Sequence, residues 1–110
     1  MRFMMHCSRN DVVLLPIPFS DLTSTKVRPA IVVGHGSVAG DLIVVPVTSR
    51  LALADFPLKL WKECGLPVPS AVKGQLATIE ARLIRKITGR LAEGDIRTLN
   101  ARLRSWLELT

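Results

Sequence analysis

The side chains most often used for metal or nucleophilic chemistry are scarce in this sequence and are not spaced for it. The chain has two histidines, His6 and His35, and two cysteines, Cys7 and Cys64. None of these forms a pair with the spacing of metal ligands, so the sequence predicts no structural metal and no cofactor. Two cysteines do not make a disulfide framework, and we expect reduced thiols. Ser49 is not expected to be a nucleophile, because no histidine follows it at a recognisable position.

The sequence does offer positive charge. Its 110 residues include 15 Lys and Arg against 9 Asp and Glu, which gives a formal net charge of +6. Because 48% of the residues are hydrophobic, this charge belongs to a folded domain and not to a disordered basic tail. A positively charged folded surface favours polyanionic partners. Composition alone does not separate RNA, DNA, an anionic membrane and an acidic protein.

The length fits one domain, residues 1–110, with a core of its own. No signal peptide is predicted, because Arg2 and the polar stretch 6–10 interrupt any apolar region near the start. The longest apolar run, 42–47, is far shorter than the roughly 20 residues of a membrane helix. We therefore expect a cytoplasmic protein with no membrane partner.

Short strands are expected over the first two-thirds of the chain. Apolar and β-branched runs bounded by turn residues predict strands at 11–19, 29–33, 42–48, 56–60, 71–79 and 84–91. The second and third are expected to form an antiparallel pair across a turn that contains Gly34, His35 and Gly36. Both are apolar on successive residues, so both of their faces should be covered, as in a small closed barrel. Pro16 and Pro18 indicate that the first strand lies at a sheet edge or ends in a bulge.

A different pattern marks the end of the chain. Ile96, Leu99, Leu103 and Trp106 recur at steps of three and four, which predicts one apolar face of a helix over 93–109. Acidic residues in its first turn suit the helix dipole. The sequence therefore predicts a mainly β domain, a small SH3-like barrel of five to seven short antiparallel strands followed by a C-terminal amphipathic helix.

Two longer segments resemble a known family. One is 10–33, which contains the dipeptide Arg28-Pro29, and the other is 40–49, which ends in Pro-Val-Thr-Ser. With the blocks around 69–70 and 75–91, their order and spacing resemble the MazF/PemK family, the endoribonuclease toxins of type II toxin–antitoxin modules. The resemblance covers about residues 9–109.

The resemblance implies a homodimer that cleaves single-stranded RNA, such as mRNA, at short sequences without a metal ion. Such cleavage inhibits translation and growth until a cognate antitoxin protein binds. In the family, the Arg of Arg-Pro and the Thr of Pro-x-Thr are the catalytic pair, and here they correspond to Arg28 and Thr48. Asn10 stands where the family usually has Gly, and Gly74 stands where it tends to have an acidic residue. Asn also tolerates the left-handed backbone that Gly adopts, so this departure is mild.

These two side chains suit the implied reaction. Metal-independent cleavage uses the ribose 2′-OH as nucleophile on the adjacent phosphate, so the site must stabilise a phosphorane dianion. Arg28 supplies a planar, charged fork that matches two phosphate oxygens. Thr48 supplies a hydroxyl that can donate to a third. Neither motif contains His or Glu, so the general base is unassigned.

Substrate binding is expected from polar and basic residues around the same groove. The amide of Gln75 can read base edges, and the loop that contains 20–23 can contact bases of single-stranded RNA. Phe56 or Trp61 could stack on a base. The candidates for substrate binding are Ser20, Asp21, Thr23, Lys26, Ser49, Arg50 and Gln75.

A second class of function stays open on the sequence alone. The gyrase-targeting CcdB toxins share this barrel, and a fold does not decide a function. The alternative is therefore a non-catalytic toxin or binding module, such as a CcdB-like gyrase poison. That alternative does not require the Arg28 and Thr48 pair, and the C-terminal Ser-Trp-Leu-Glu-Leu-Thr differs from that family's terminal Trp-Gly-Ile.

Overall fold

The computed structural model describes residues 6–16 and 26–109, and this part of the chain forms seven strands and one α-helix. The helix is α1 (Glu93–Trp106). The strands are β1 (Asp11–Pro16), β2 (Val27–His35), β3 (Asp41–Thr48), β4 (Phe56–Pro57), β5 (Ala71–Val72), β6 (Ala77–Glu80) and β7 (Lys86–Arg90). The expected mainly β fold with a C-terminal helix is confirmed.

The described strands form one antiparallel sheet in the order β4–β5–β3–β2–β1–β7, and β6 pairs with β3 as well. β2 and β3 are the predicted pair, with Ala30 opposite Pro46. β2 runs on through Gly34 and His35, which the sequence analysis placed in the turn. A register shift after Val32 lets the pairing continue there, so the turn itself begins later.

Hydrophobic residues pack on both faces of the central strands. One cluster includes Leu99 and Leu103 of α1, and its members from the central strands include Val12, Ile31 and Val45. A second cluster takes the alternate residues, among them Val13, Ala30 and Val44. Both faces of β2 and β3 are therefore covered, as their continuous apolar runs predicted.

The segment 58–70 closes the sheet into a barrel-like shape. It follows β4, which lies at one end of the strand order, and it packs against β7, which lies at the other end. The Thr88 hydroxyl donates to the carbonyl oxygen of Cys64 at 3.1 Å. A Cβ on Gly89 would lie 2.7 Å from the same carbonyl oxygen, and a Cβ on Gly65 would collide with the Thr88 carbonyl. Glycine at both positions permits this close approach.

A buried carboxylate ties the same segment to the helix. Asp95, in the first turn of α1, is 2% exposed and accepts hydrogen bonds from the backbone N–H groups of Lys59 and Leu60, each at 3.0 Å. Charge-assisted bonds of this kind are stronger than neutral ones. Asp95 thus does more than suit the helix dipole, because it fixes the start of the closing segment.

β1 is an internal strand, so the first of the two expected alternatives, a place at a sheet edge, is wrong. The other alternative, an end in a bulge, falls on residues that the structure does not describe. β7 pairs with it from Asp11 to Leu14, and β2 pairs with its other side as far as Pro16. Pro16 lies beyond the last pair with β7, so its missing N–H does not interrupt that ladder. Pro18 lies outside the described residues. Asn10, just before β1, has a φ of 76°, the left-handed conformation that the sequence analysis allowed for it.

The predicted strand 71–79 is two strands, β5 and β6, which pair with successive parts of β3. The pairing with β3 is interrupted after Lys73, where the Gly74 N–H donates to the Asp55 carboxylate instead. A Cβ on Gly74 would lie 2.5 Å from an Asp55 carboxylate oxygen and 3.1 Å from the Trp106 ring. The absence of a side chain at Gly74 is therefore a packing requirement here.

α1 confirms the predicted apolar face but ends earlier than 109. Leu99 and Leu103 are buried, whereas Leu107 is exposed. Glu108 has a φ of 55°, its N–H donates to the carbonyl of Ser105, and the next N–H donates to that of Arg104. This is a Schellman motif, which stops the helix.

Candidate functional site

A pocket of about 430 Å³ opens where β2 begins and β3 ends. Leu14 of β1, Lys86 and Thr88 of β7, and residues of the closing segment form its other walls. Its volume lies in the range of small-ligand sites, about 300–1,000 Å³. The closing segment, held by Asp95 and the two glycines, therefore builds one side of this pocket.

The start of β2 and the end of β3 bring Arg28 and Thr48 to one pocket. The ladder between the two strands ends at Ala30 opposite Pro46, and Arg28 and Thr48 each lie two residues beyond that pair. Both residues line the pocket. Two residues from distant parts of the sequence thus meet at one site.

Thr48 is held by its neighbours while its hydroxyl proton stays available. It pairs with Ala71 of β5, and its Oγ1 accepts a hydrogen bond from the Arg50 backbone N–H at 3.0 Å. A hydroxyl that accepts one bond can still donate its own proton. Thr48 can therefore donate to an oxygen of a bound ligand.

Arg28 is exposed, and its guanidinium makes no hydrogen bond or ion pair with any residue that the structure describes. Other arginines differ, since Arg82 pairs with Glu80 and Arg90 lies 3.4 Å from an Asp11 carboxylate oxygen. An exposed arginine is most often part of a surface salt bridge, but Arg28 forms none with the described residues. Its fork of N–H donors is open to an anion.

The remaining candidates divide into three groups. Ser49 lines the pocket beside Thr48. Lys26, Arg50 and Gln75 are exposed but do not line it. The predicted contacts of Ser20, Asp21 and Thr23 lie outside the described residues. The structure therefore brings three of the named candidates to one pocket: Arg28, Thr48 and Ser49.

The aromatic residues do not line the pocket. Phe56 is 4% exposed in the core, with the Arg102 guanidinium 5.4 Å from its ring centroid, so the expectation that it stacks on a base is wrong. Trp61 packs partly against the same cluster, and the Lys62 ammonium lies 5.4 Å from its ring. The closing segment instead contributes aliphatic residues to the pocket lining, among them Leu66 and Val68.

Sequence reasoning assigned Lys86 to a solvated basic face that attracts RNA, with Arg82, Arg85 and Arg90, and did not place β7 at this pocket. Lys86 and Thr88 line the pocket, but they lie far from both motifs in the sequence. The Thr88 hydroxyl is engaged with backbone carbonyls, as is that of Ser70, which donates to the Val68 carbonyl at 2.8 Å. The Lys86 side chain makes no hydrogen bond or ion pair within the described chain. No local signal marked it, because the closing segment creates this wall.

The pocket is electropositive. Its lining among the described residues contains two cations, Arg28 and Lys86, and no Asp, Glu or His. His35 lies at the opposite end of β2, seven residues away, or about 23 Å at the usual strand rise of about 3.3 Å per residue. Such a lining favours an anionic ligand.

The two cysteines take no part in this site. Both are free, and Cys64 is a core member of one hydrophobic cluster, while Cys7 packs against the other. Burial raises the pKa of both thiols, and the charges of Asp11 near Cys7 and Asp95 near Cys64 raise the pKa further. Both thiols are therefore held in their unreactive neutral form.

Residues 6–16 and 26–109 contain neither a metal-binding cluster nor a membrane-spanning helix. There, no group of three or more His, Cys, Asp or Glu side chains is placed to hold a metal ion. Its helix is too short and too polar to cross a membrane.

Comparison with known families decides the assignment. Residues 8–107 match the model of the PemK-like, MazF-like toxins of type II toxin–antitoxin systems. The chain belongs to this toxin family. The matched region contains every residue that lines the pocket, so the pocket is part of the family domain. No curated protein matches the sequence significantly.

Proposed function

We propose that this toxin is a metal-independent endoribonuclease that cleaves single-stranded RNA, mRNA in particular, at short sequences and so inhibits translation and growth. One observation carries the proposal: Arg28 and Thr48 line the same pocket, whose described lining is cationic and free of carboxylates. A gyrase-binding or other non-catalytic role requires no such pair.

In the proposed reaction, the ribose 2′-oxygen attacks the adjacent phosphorus. A bond forms between the 2′-oxygen and phosphorus, the bond from phosphorus to the 5′-oxygen breaks, and a 2′,3′-cyclic phosphate results. The 2′ proton leaves to a base, and the departing 5′-oxygen gains a proton. Arg28 binds two non-bridging oxygens of the phosphorane through its N–H fork, and Thr48 donates its hydroxyl proton to a phosphorane oxygen.

Most of the proposed rate comes from charge stabilisation and positioning. Neither a histidine nor a carboxylate is among the pocket residues that the structure describes. A donor aimed at charge that develops in the transition state is often worth about a hundred- to a thousandfold in rate. β3 and β5 hold Thr48 rigidly for this purpose, since its backbone is paired and its Oγ1 is bonded to the Arg50 N–H.

The RNA extends beyond the pocket in this proposal. Ser49 contacts the strand beside Thr48, and Gln75 reads a base edge outside the pocket. Lys26 and Arg50 follow the backbone phosphates. Ser20, Asp21 and Thr23 complete the contacts proposed for the RNA groove.

Two protein partners follow from the family. A type II toxin has an antitoxin as its partner. We expect that antitoxin to present an acidic, amphipathic segment, which orders on binding and competes with RNA for the cationic groove. We also propose that the toxin acts as a homodimer in the cytoplasm, where its mRNA substrate lies.

The test is cleavage of mixed RNA by the purified toxin in EDTA, followed by sequencing of the cut sites and analysis of the product ends. We expect cleavage at one short sequence with 2′,3′-cyclic phosphate ends. The Arg28→Ala variant, purified identically, is the control against a contaminating nuclease. Cleavage that stops in EDTA contradicts the proposed mechanism, and a wild type that cuts no RNA supports the non-catalytic alternative.

A further inference from the structure

Lys86 and Arg28 both line the pocket. Lys86 begins β7 and pairs with Leu14 of β1, whose partner on the other side is Pro29, next to Arg28. Neighbouring strands are about 4.8 Å apart, so the backbones at Lys86 and Arg28 are separated by about 10 Å across β1. The pocket occupies the space beside these strands, and both cations line it.

The surroundings of Lys86 distinguish it from the other basic residues of this region. Arg82 pairs with Glu80, and Arg90 pairs with Asp11, whereas Lys86 has no such partner within the described chain. No carboxylate among the described residues lines the pocket beside it. Within the described residues its charge is therefore not neutralised, which suits an anion that enters the pocket.

We propose that Lys86 binds a second backbone phosphate of the RNA, next to the scissile phosphate that Arg28 and Thr48 hold. This inference rests on the proposed ribonuclease function and names a further contact of the same site. Backbones about 10 Å apart allow the two side chains to contact two successive phosphates of one strand. The strand then crosses the pocket from the end of β2 toward β7.

Lys86 is a substrate-binding residue in this account and not a catalytic one. Its ammonium is a flexible point charge that contacts phosphate without reading a base. Its loss should therefore raise KM and leave kcat nearly unchanged. For single-stranded nucleic acid, each phosphate contact contributes about 0.7 to the slope of log affinity against log salt concentration.

The experiment measures binding of an RNA that carries the mapped cleavage site with a single 2′-deoxynucleotide in place of the attacking ribose. Anisotropy titrations over a salt series compare wild type with Lys86→Met, Lys86→Arg and Arg85→Met. Arg85 is the matched control, because it is the exposed neighbouring cation and does not line the pocket. Circular dichroism confirms that each variant is folded.

We expect Lys86→Met to weaken binding about tenfold at low salt, the loss of one charge-assisted phosphate contact, and to lower the slope by about 0.7. Lys86→Arg should keep the wild-type slope. Arg85→Met should change affinity only slightly and leave the slope unchanged.

Two contrary results are distinguishable. If the wild type cuts and binds RNA but Lys86→Met behaves like Arg85→Met, the contact by Lys86 is overturned while the ribonuclease stands. If the wild type neither cuts nor binds any RNA, both proposals are overturned together.

Discussion

The hairpin of β2 and β3 has two ends that are built differently. At the turn end, backbone groups satisfy one another: the Gly36 N–H donates to the Asp41 carbonyl at 3.0 Å, and the Ala81 N–H donates to the Gly40 carbonyl at 2.8 Å. At the pocket end, Arg28 has no partner in the described chain, and Thr48 keeps a hydroxyl proton to donate. At the turn end the named backbone groups are bonded within the protein. At the pocket end the Arg28 guanidinium and the Thr48 hydroxyl proton have no partner among the described residues.

The two ends of this one strand pair therefore serve different purposes: the turn end contributes to stability, and the pocket end contributes to function. Groups that the protein satisfies internally contribute to folding, and buried polar groups left without partners destabilise it. Open donors at an exposed pocket contribute little to folding, but they are ready for a ligand. The account therefore predicts that substitutions at the pocket end change activity and that substitutions at the turn end change stability.

The largest expected effect is at Arg28. Arg28→Ala should lower the rate of RNA cleavage by about a thousandfold, because the phosphorane loses its charged fork. The midpoint of urea unfolding should barely move, since no described interaction is lost. Single-turnover cleavage and urea denaturation measure the two quantities.

Arg82→Ala is the matched control near the turn end. It removes an exposed pair with Glu80, which is worth about 0–1 kcal/mol, and should leave the cleavage rate unchanged. If Arg28→Ala and Arg82→Ala lost cleavage activity equally, the proposed difference between the pocket end and the turn end would be contradicted.

The next effect is at Thr48. Thr48→Val keeps the shape of the side chain but removes the hydroxyl, and should lower the rate by about a hundredfold. Thr48→Ser keeps the hydroxyl and should stay within about tenfold of the wild type, because the donor remains. Cleavage rates of both variants at saturating RNA distinguish the effect of the hydroxyl donor from the effect of side-chain packing. A Val variant as active as Ser would exclude the proposed donation.

The smallest effect belongs to the turn end. A Cβ on Gly36 would lie 2.8 Å from the Asp41 Cβ. Gly36→Ala should therefore destabilise the fold by about 1–3 kcal/mol, the usual cost of overpacking. The cleavage rate per folded molecule should be unchanged, and urea denaturation measures the stability.

Gly34→Ala is the control for that substitution. A Cβ on Gly34 would have an Ile43 side-chain carbon, 4.0 Å away, as its nearest neighbour. The free energy of unfolding should therefore stay the same or rise slightly. A loss of cleavage rate in folded Gly36→Ala would show that the turn end also takes part in catalysis.

Much of the fold could be predicted from local pattern. The β-branched runs identified β2 and β3, and the spacing of Leu99 and Leu103 identified the buried face of α1. The errors arose where distant contacts decide the backbone. Asp55 draws Gly74 out of the sheet and divides a predicted strand, and Glu108 ends the helix without the glycine that usually signals such an end.

The site was predictable only in part. The resemblance identified Arg28 and Thr48, and both of them line the pocket. Lys86 could not be found in this way, because its place in the pocket depends on the pairing of β7 with β1 and on the closure by segment 58–70. Phe56 was a mistaken candidate because its environment is the core, which composition and motif do not report.

The central claim is that this toxin cleaves RNA through the 2′-OH at the pocket of Arg28 and Thr48. Its most direct test uses two RNAs that contain the mapped cut site and differ by one 2′-oxygen, incubated with the toxin in EDTA. The account predicts that the all-ribose strand is cut, leaving a 2′,3′-cyclic phosphate, and that the strand with the single deoxynucleotide stays intact. Cleavage of both strands at the same bond would contradict it.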